Sequence, residues 1–287
     1  MLVLSNQLVR LPSGALSALP IVRTGRAPLA GDEHVMQCEM LKRRLPWQLK
    51  VPLKLMLSIL PVPFSAWRRL GVFRHGGMNL ADYALQVFRR CCTPVNGNLA
   101  GMTVLELGPG DSIASGLLAH AFGACHTYLV DTASYASRDI RLYLRMIREW
   151  VRVGVPVDQL LSCVSFEALC ARANITYLTH GLSSLKALSR RSVDFAFSNA
   201  VLEHIPRAEV FETITELRRI LTDRGCSYHQ VDLKDHLAGA LNNLRFRDRL
   251  WESAWFARSG FYTNRLRYSD FLSLFIAVGF EPNVPAL

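Results

Sequence analysis

Apolar runs of strand length alternate with amphipathic helices along most of the chain, beginning near Met78. The segment "NLADYALQVFRRC" repeats apolar residues at helical spacing, whereas "MTVLEL" is a short apolar run that predicts a buried strand. The pattern continues and predicts strands at 102–107, 126–131, 175–178, 192–199 and 226–233. Strands and helices in this order predict a doubly wound α/β fold, with a mostly parallel sheet covered by helices on both faces.

Two of the predicted helices have boundaries that the structure tests closely. Residues 157–173 have the apolar spacing of one continuous helix. Residues 206–225 start with Pro206 and end at Gly225, which are a helix start signal and a helix stop signal.

A turn with two glycines follows the first strand of the regular region, in the stretch "TVLELGPGDS". In a parallel sheet, ligands bind beyond the carboxyl ends of the strands, and glycines at the first strand-to-helix turn let a cofactor approach the backbone. The turn lacks the third glycine of a dinucleotide site, and Glu106 and Asp111 flank it. Because two carboxylates would repel a pyrophosphate, we expect a cofactor that is cationic near this turn.

Four motifs in order resemble those of class I S-adenosylmethionine-dependent methyltransferases, over roughly residues 82–279. "ELGPGD" resembles the first motif, and "YLVD" ends in an acid 21 residues after Gly110, where the family has one. "SVDFAFSNAVLEHI" and "ELRRILTDRG" are similar to the fourth-strand motif and to the helix before strand five. The resemblance implies a Rossmann-like fold, S-adenosyl-L-methionine as cofactor, and methyl transfer as the activity.

The resemblance also implies which residues bind the cofactor. Glu106 would bind the methionine part directly or through water, and Asp131 would accept both ribose hydroxyls with its two carboxylate oxygens. The adenine contacts stay unassigned, because "THGL" at 179–182 has no acid after the third strand. The full set of implied cofactor-binding residues is Glu106, Gly108, Gly110, Asp131, Ser198 and Asn199.

The end of the chain departs from the family pattern. The family completes its sheet with two further strands, whereas this chain stops at "GFEPNVPAL", which leaves room for one strand near Phe280. We therefore expect the last strands of the sheet to be missing or incomplete, through truncation of the chain or a sheet edge completed in another way.

Candidate general bases follow the fourth and fifth strands of the predicted sheet. His204 lies in "LEHI", and "HQVDLKDH" supplies Asp232, Asp235 and His236. A hydroxyl acceptor needs a base, so we interpret His204 or His236 as the catalytic base, with Asp232 or Asp235 orienting it. Helix caps and loop hydrogen bonds are the alternative explanation, and we expect His229, inside the strand, to have such a role. The spacing matches no metal-ligand pattern, so no metal is predicted.

Two basic segments of the sequence are candidates for binding a substrate or partner. Residues 237–267 interleave arginines with aromatic residues, which fits either a substrate-binding surface or a packed helical cap. A second set of arginines recurs at three or four residues between Arg138 and Arg152, either as a solvated helix face or as a surface for RNA or lipid headgroups. The sequence leaves both alternatives open.

The part before residue 78 is predicted to lie outside this domain. Residues 1–40 carry no acid before Asp32 and resemble a leader that is disordered or not native, with Met36 or Met40 as alternative starts. Residues 41–77 are predicted to form a helical segment, and residues 78–287 the methyltransferase domain with its cap at 237–267. A helix at 52–60 is too short and interrupted for a membrane span, and fits packing on the domain or binding at a membrane surface.

The amino-acid composition indicates the redox compartment of the protein and the charge of its partners. Seven cysteines without paired zinc spacing fit reduced thiols in a cytoplasmic protein, and a net charge of +10 favours acidic partners. We predict a methyltransferase that acts on an oxygen or nitrogen atom of a small-molecule, glycan or lipid-linked acceptor. An anionic membrane surface is a further expected partner, and an RNA methyltransferase or a non-catalytic scaffold is the alternative. The oligomeric state is not predicted.

Overall fold

A computed structural model of the 287-residue chain describes residues 2–5, 52, 77–237, 240–257 and 259–283, with backbone alone for residues 2–5. The chain divides into two units. The first contains residues 1–9, 75–233 and 264–287, and the second contains residues 10–74 and 234–263. Residues 6–40 of the predicted leader, and the predicted helix at 52–60 apart from Pro52, lie outside the described residues.

The first unit is built on a seven-stranded sheet. Its strands are β1 (Leu2–Ser5), β2 (Thr103–Leu107), β3 (His126–Val130), β4 (Ile175–Leu178), β5 (Val193–Asn199), β6 (Leu221–Gln230) and β7 (Glu281–Asn283). The spatial order is β4-β3-β2-β5-β6-β1-β7. The strands β2 to β6 run parallel, whereas β1 is antiparallel to both of its neighbours. The doubly wound, mostly parallel sheet predicted from the sequence is confirmed.

Helices cover both faces of this sheet. The described α-helices are α1 (Ala81–Cys91), α2 (Ala114–Ala121), α3 (Ile140–Arg152), α4 (Phe166–Arg172), α5 (Leu182–Ala187), α6 (Arg207–Ile220), α7 (Asp248–Trp251), α8 (Ala254–Ala257) and α9 (Tyr268–Ala277). Helices α1 to α4 share one buried cluster with Phe195 and Phe197 of β5. Helices α5, α6 and α9 share another with Ala196. Consecutive residues of β5 therefore face opposite layers, as strand geometry requires. None of the described helices combines the length and the hydropathy needed to cross a bilayer.

Two predicted helix boundaries are wrong. Residues 157–173 form a 3₁₀ turn (Asp158–Ser162) and then α4, because the chain is extended at Cys163 and Ser165 caps the second helix by accepting Ala168 N. Helix α6 ends at Ile220 rather than at Gly225, and β6 begins at once with buried Leu221.

Gly225 lies inside β6 and has a packing role instead of ending the helix. The register between β5 and β6 shifts from Val193↔Leu221 to Phe195↔Cys226, so residues 222–225 form an irregularity opposite Asp194. A Cβ on Gly225 would lie 3.1 Å from the Asp194 carbonyl oxygen. Glycine therefore lets the two backbones approach closely at this irregularity.

The edge of the sheet is completed by the start of the chain. The C-terminal segment supplies β7, and β1 lies between β6 and β7. Leu2 to Ser5 pair with His229 to Cys226 on one side, and Val3 to Ser5 pair with Asn283 to Glu281 on the other. The exclusion of residues 1–40 from the fold is thus wrong for residues 2–5. The sheet is also not left incomplete, because a strand from the other end of the chain occupies the position where a strand was expected to be missing.

Candidate cofactor site

The glycine turn between β2 and α2 adopts a conformation that other residues rarely reach. Gly108 and Gly110 have φ values of 68° and 67°, in the left-handed region. Gly108 N donates to Val130 O at 2.8 Å, which ties the turn to the end of β3. A Cβ on Gly108 would lie 2.4 Å from Val201 Cγ2, so glycine is also needed for packing against the loop after β5.

Asp131 follows β3 and is held against this turn. Its Oδ2 accepts Gly110 N at 3.1 Å, and its Oδ1 accepts Thr132 N at 2.7 Å. Its backbone oxygen accepts Gly181 N at 2.8 Å, just before α5 begins. The carboxylate is therefore oriented at the carboxyl ends of β2 and β3. The structure brings Asp131 and Gly110 together, as the motif spacing predicts.

Glu106 is a buried carboxyl group directly before the turn, with only 2% of its surface exposed. It accepts a hydrogen bond from the Ser115 hydroxyl on α2. Burial raises the pKa of Glu106 to about 8; the Ser115 hydrogen bond opposes this shift and the negative charge of Asp131 adds to it. Near neutral pH the group is therefore mainly protonated, and it would ionise when a cation binds beside it.

Ser198 and Asn199 at the end of β5 face different layers. Glu106 pairs with Phe197, so Phe197 and Asn199 share the sheet face of Glu106, while Ser198 faces the opposite one. Asn199 Oδ1 accepts a hydrogen bond from Arg90 Nη2 at 3.3 Å. Asn199 thus remains on the face expected for the methionine end of the cofactor.

The Ser198 side chain lies in the core. A hydrogen bond of 2.8 Å joins Ser198 Oγ and His229 Nδ1, and both residues are fully buried. Burial lowers the pKa of His229 to about 3, so the imidazole is neutral, and its ring stacks on Phe275 at 5.4 Å. This placement favours a packing role for Ser198, which differs from the contact with the methyl group that the resemblance implies.

The predicted catalytic residues lie after neighbouring strands. His204 ends a 3₁₀ turn (Leu202–His204) after β5, and Asp232 follows β6 by two residues. His236 belongs to the second unit, whereas His204 and Asp232 belong to the first. Asp235, also in the second unit, accepts backbone N–H groups from Leu237, Ala240, Asn242 and Asn243. Those four bonds explain Asp235 as a residue that organises a loop.

The sequence analysis missed Glu203, the neighbour of His204. Glu203 is 2% exposed, its Oε1 accepts Asp232 N at 3.1 Å, and its Oε2 has no hydrogen-bond partner among the described residues. Asn264 holds this loop by donating to Leu202 O and to Glu203 O at 2.7 and 2.8 Å. The available signal was an acid next to His204 within the mostly apolar run "AVLEHI".

Replacing Glu203 with glutamine should flatten the pH dependence of stability. Burial raises the pKa of Glu203 to about 7, and the charge of Asp232 adds to the shift. When folding raises the pKa of a carboxyl group, that group stabilises the protein at pH values below its pKa in the unfolded state. This contribution is lost as the pH rises through the pKa of the folded state. Between about pH 5 and about pH 8, Glu203→Gln should gain on the order of 2 kcal/mol relative to wild type.

Urea unfolding at several pH values would measure this difference. Glu212→Gln is the matched control, because Glu212 is exposed and pairs with Lys186 at the surface at 2.6 Å. The control should follow the wild-type pH dependence. Identical pH dependence in wild type and Glu203→Gln would refute the assignment.

Comparisons with known proteins concern the fold. No family model matches the chain, and no curated protein matches it. The sheet order and the helices on both faces identify the architecture. The chain has a Rossmann-like, doubly wound α/β fold. Solved structures similar to this chain include methyltransferases from several organisms.

One similar structure is a chain of the complex between the Haloferax volcanii Trm112 methyltransferase activator and a methyltransferase (17% identity, TM-score 0.40). Others are the Haemonchus contortus phosphoethanolamine N-methyltransferase 2 (12%, 0.41) and an arsenic(III) S-adenosylmethionine methyltransferase from Chlamydomonas reinhardtii (18%, 0.38). The matches span 68%, 68% and 63% of this chain. They span 66%, 37% and 52% of the three solved chains, so this chain covers less than two thirds of the length of each solved chain.

Proposed function

We propose that this protein is an S-adenosylmethionine-dependent methyltransferase acting on an oxygen or nitrogen atom of a small-molecule, glycan or lipid-linked acceptor. The observation that supports the proposal is the arrangement at the carboxyl ends of β2 and β3. There the turn amide of Gly110 orients the Asp131 carboxylate, and the buried carboxyl of Glu106 lies directly before the same turn.

These residues fit the cofactor by charge and shape. Asp131 has two oxygens for the two ribose hydroxyls, and its hydrogen bonds to Gly110 N and Thr132 N keep it oriented. Glu106 would bind the ammonium group of the methionine part, for which a carboxylate in a buried site is the natural partner. When bound, the cofactor supplies a methyl group already activated by its sulfonium, so alignment of the acceptor provides most of the acceleration.

In this proposal, the base that removes a proton from the acceptor belongs to the loops after β5 and β6. His204 and Asp232, proposed from the sequence, lie there together with the buried carboxyl of Glu203. A base whose pKa is near neutral suits proton removal from an acceptor hydroxyl or amine. Glu203 meets that condition, so it joins His204 and His236 as a candidate base, and Asp232 keeps its proposed orienting role.

The proposal is tested by calorimetric titration of the folded protein with S-adenosylmethionine and S-adenosylhomocysteine. Binding of the ammonium beside Glu106 should ionise this carboxyl, so about one proton is released near neutral pH. Titrations in buffers of different ionisation enthalpy measure that proton. Glu106→Gln should abolish the release and weaken binding, whereas Glu167→Gln, an exposed residue paired with Arg138, should behave as wild type.

Failure of a correctly folded protein to bind either ligand would sink the methyltransferase proposal and favour the scaffold alternative. A sheet without its last strands would favour a scaffold that keeps the fold and lacks turnover. Because β1 fills the sheet between β6 and β7, this motivation is removed.

An RNA methyltransferase remains the second candidate function, because helix α3 carries exposed arginines. Arg145, Arg148 and Arg152 are exposed on this helix, whereas Arg141 pairs with Asp139 at 3.1 Å. Strongly salt-dependent binding of RNA, lost when these three arginines are replaced, would favour it over a small-molecule acceptor.

A further inference from the structure

The second unit packs its aromatic side chains inward. Trp251, Phe256, Phe261 and Tyr262 are buried together, with Phe246 against them. Trp251 Nε1 donates to Thr263 O at 2.7 Å, and the Tyr262 hydroxyl donates to Glu252 at 2.6 Å. The packed-cap interpretation of this segment is therefore correct for these aromatic residues, which are not available to stack on a ligand.

The same unit exposes a different set of apolar side chains. Each keeps between 43% and 49% of its surface exposed, and the four are Leu241, Leu244, Leu250 and Trp255. Leu244 N donates to Leu241 O, so these two leucines are one 3₁₀ turn apart. Four large apolar side chains are thus exposed within 15 residues of one another along the chain.

Arginines accompany these exposed apolar residues. Arg245, Arg247 and Arg249 are all exposed, and each lies within five residues of an exposed leucine. The described residues 240–257 contain two acids, Asp248 and Glu252, and the second accepts the Tyr262 hydroxyl. The surface therefore joins apolar side chains to a net positive charge.

We propose that this surface, residues 241–255, docks onto an anionic lipid bilayer. Leucine and tryptophan side chains enter the boundary between headgroups and acyl chains, while arginines bind lipid phosphates. An RNA partner would use the arginines but would leave the leucines exposed to water. The proposal concerns the attachment of the protein to a membrane surface, and it does not depend on cofactor binding.

Vesicle co-sedimentation tests the surface with the full-length chain. We expect binding to vesicles of phosphatidylcholine mixed with phosphatidylglycerol, and much weaker binding to pure phosphatidylcholine. Removing one arginine near an anionic surface should weaken binding about fivefold, so Arg245→Gln, Arg247→Gln and Arg249→Gln together should weaken it about a hundredfold. Leu250→Ser combined with Trp255→Ser should weaken it at least about tenfold.

Matched variants in the first unit test whether the loss of vesicle binding is specific to residues 241–255. Leu80 and Ile276 are exposed apolar residues there, so Leu80→Ser with Ile276→Ser should bind as wild type. The triple glutamine variant of Arg145, Arg148 and Arg152 should do the same. Circular dichroism and the thermal midpoint confirm that each variant is folded.

Three results would overturn the proposal. The first is no binding to either vesicle, and the second is equal loss in the control variants. The third is binding of an RNA oligonucleotide that needs Arg245, Arg247 and Arg249 but not Leu250 or Trp255, in a protein that ignores both vesicles. The last result would assign the surface to RNA.

Discussion

Deleting residues 1–5 is expected to lower the free energy of unfolding by about 7 kcal/mol, comparable with the whole stability of many domains. Strand β1 forms four residue pairs with β6 and three with β7. Its loss leaves β6 with an open edge, and among the described strands β7 has no other partner. The estimate assigns each lost pairing a net contribution of about one hydrogen bond.

Urea unfolding of the deletion variant and of wild type measures this effect. Leu4→Pro is a second variant, because proline in a strand with neighbours on both sides removes a ladder hydrogen bond. Leu4→Ala keeps the backbone donor and is its control. A synthetic peptide of residues 1–9 added in trans should restore part of the stability. Unchanged stability on deletion would show that β1 does not hold the sheet edge.

Replacing Asp131 with alanine is expected to weaken S-adenosylmethionine binding at least about a hundredfold. Two hydrogen bonds from ribose hydroxyls to a carboxylate are lost, and each is worth about 1.5 to 3 kcal/mol. The turn also loses an anchor, because Gly110 N and Thr132 N donate to this carboxylate. Calorimetric titration compares the dissociation constants of the variant and of wild type.

A second variant at Asp131 separates its charge from its shape, and a variant at Asp139 is the control. Asp131→Asn keeps one oxygen acceptor and should fall between wild type and Asp131→Ala. Asp139→Ala removes an exposed acid whose side chain accepts Arg141 N at the start of α3, and it should bind the cofactor as wild type does. Wild-type affinity in Asp131→Ala would contradict the assignment of this carboxylate to the cofactor.

The parts of the fold that sequence reasoning predicted are those with local signals. Strands β2 to β5 are short apolar runs bounded by turn residues, and the spacing from Gly110 to Asp131 spans one strand-helix-strand unit. The resemblance to the methyltransferase family implied that Asp131 belongs to the same site as this turn, and because parallel strands end at the same edge, the two lie close together. The predicted cofactor turn therefore followed from residues close together in the sequence.

The parts that it missed depend on contacts between distant residues. Strand β5 reads "VDFAFSN", and its apolar run does not reveal which face Ser198 occupies until its pairing with β2 is known. Gly225 signals a helix stop, yet tertiary packing against Asp194 places it in a strand. Residues 2–5 are too few to show a period, and the loop of Glu203 is held by hydrogen bonds from Asp232 and Asn264, which are distant in the sequence.

The position of β1 also affects the order in which the sheet forms during refolding. Residues 2–5 pair with residues 226–229 and 281–283, from which they are separated by most of the described sequence. Contacts of such large sequence separation form slowly, because the entropy of closing a long loop opposes them. We therefore expect the pairing of β1 to be a late step of refolding, and until it forms β6 presents an unpaired edge of the kind that promotes aggregation.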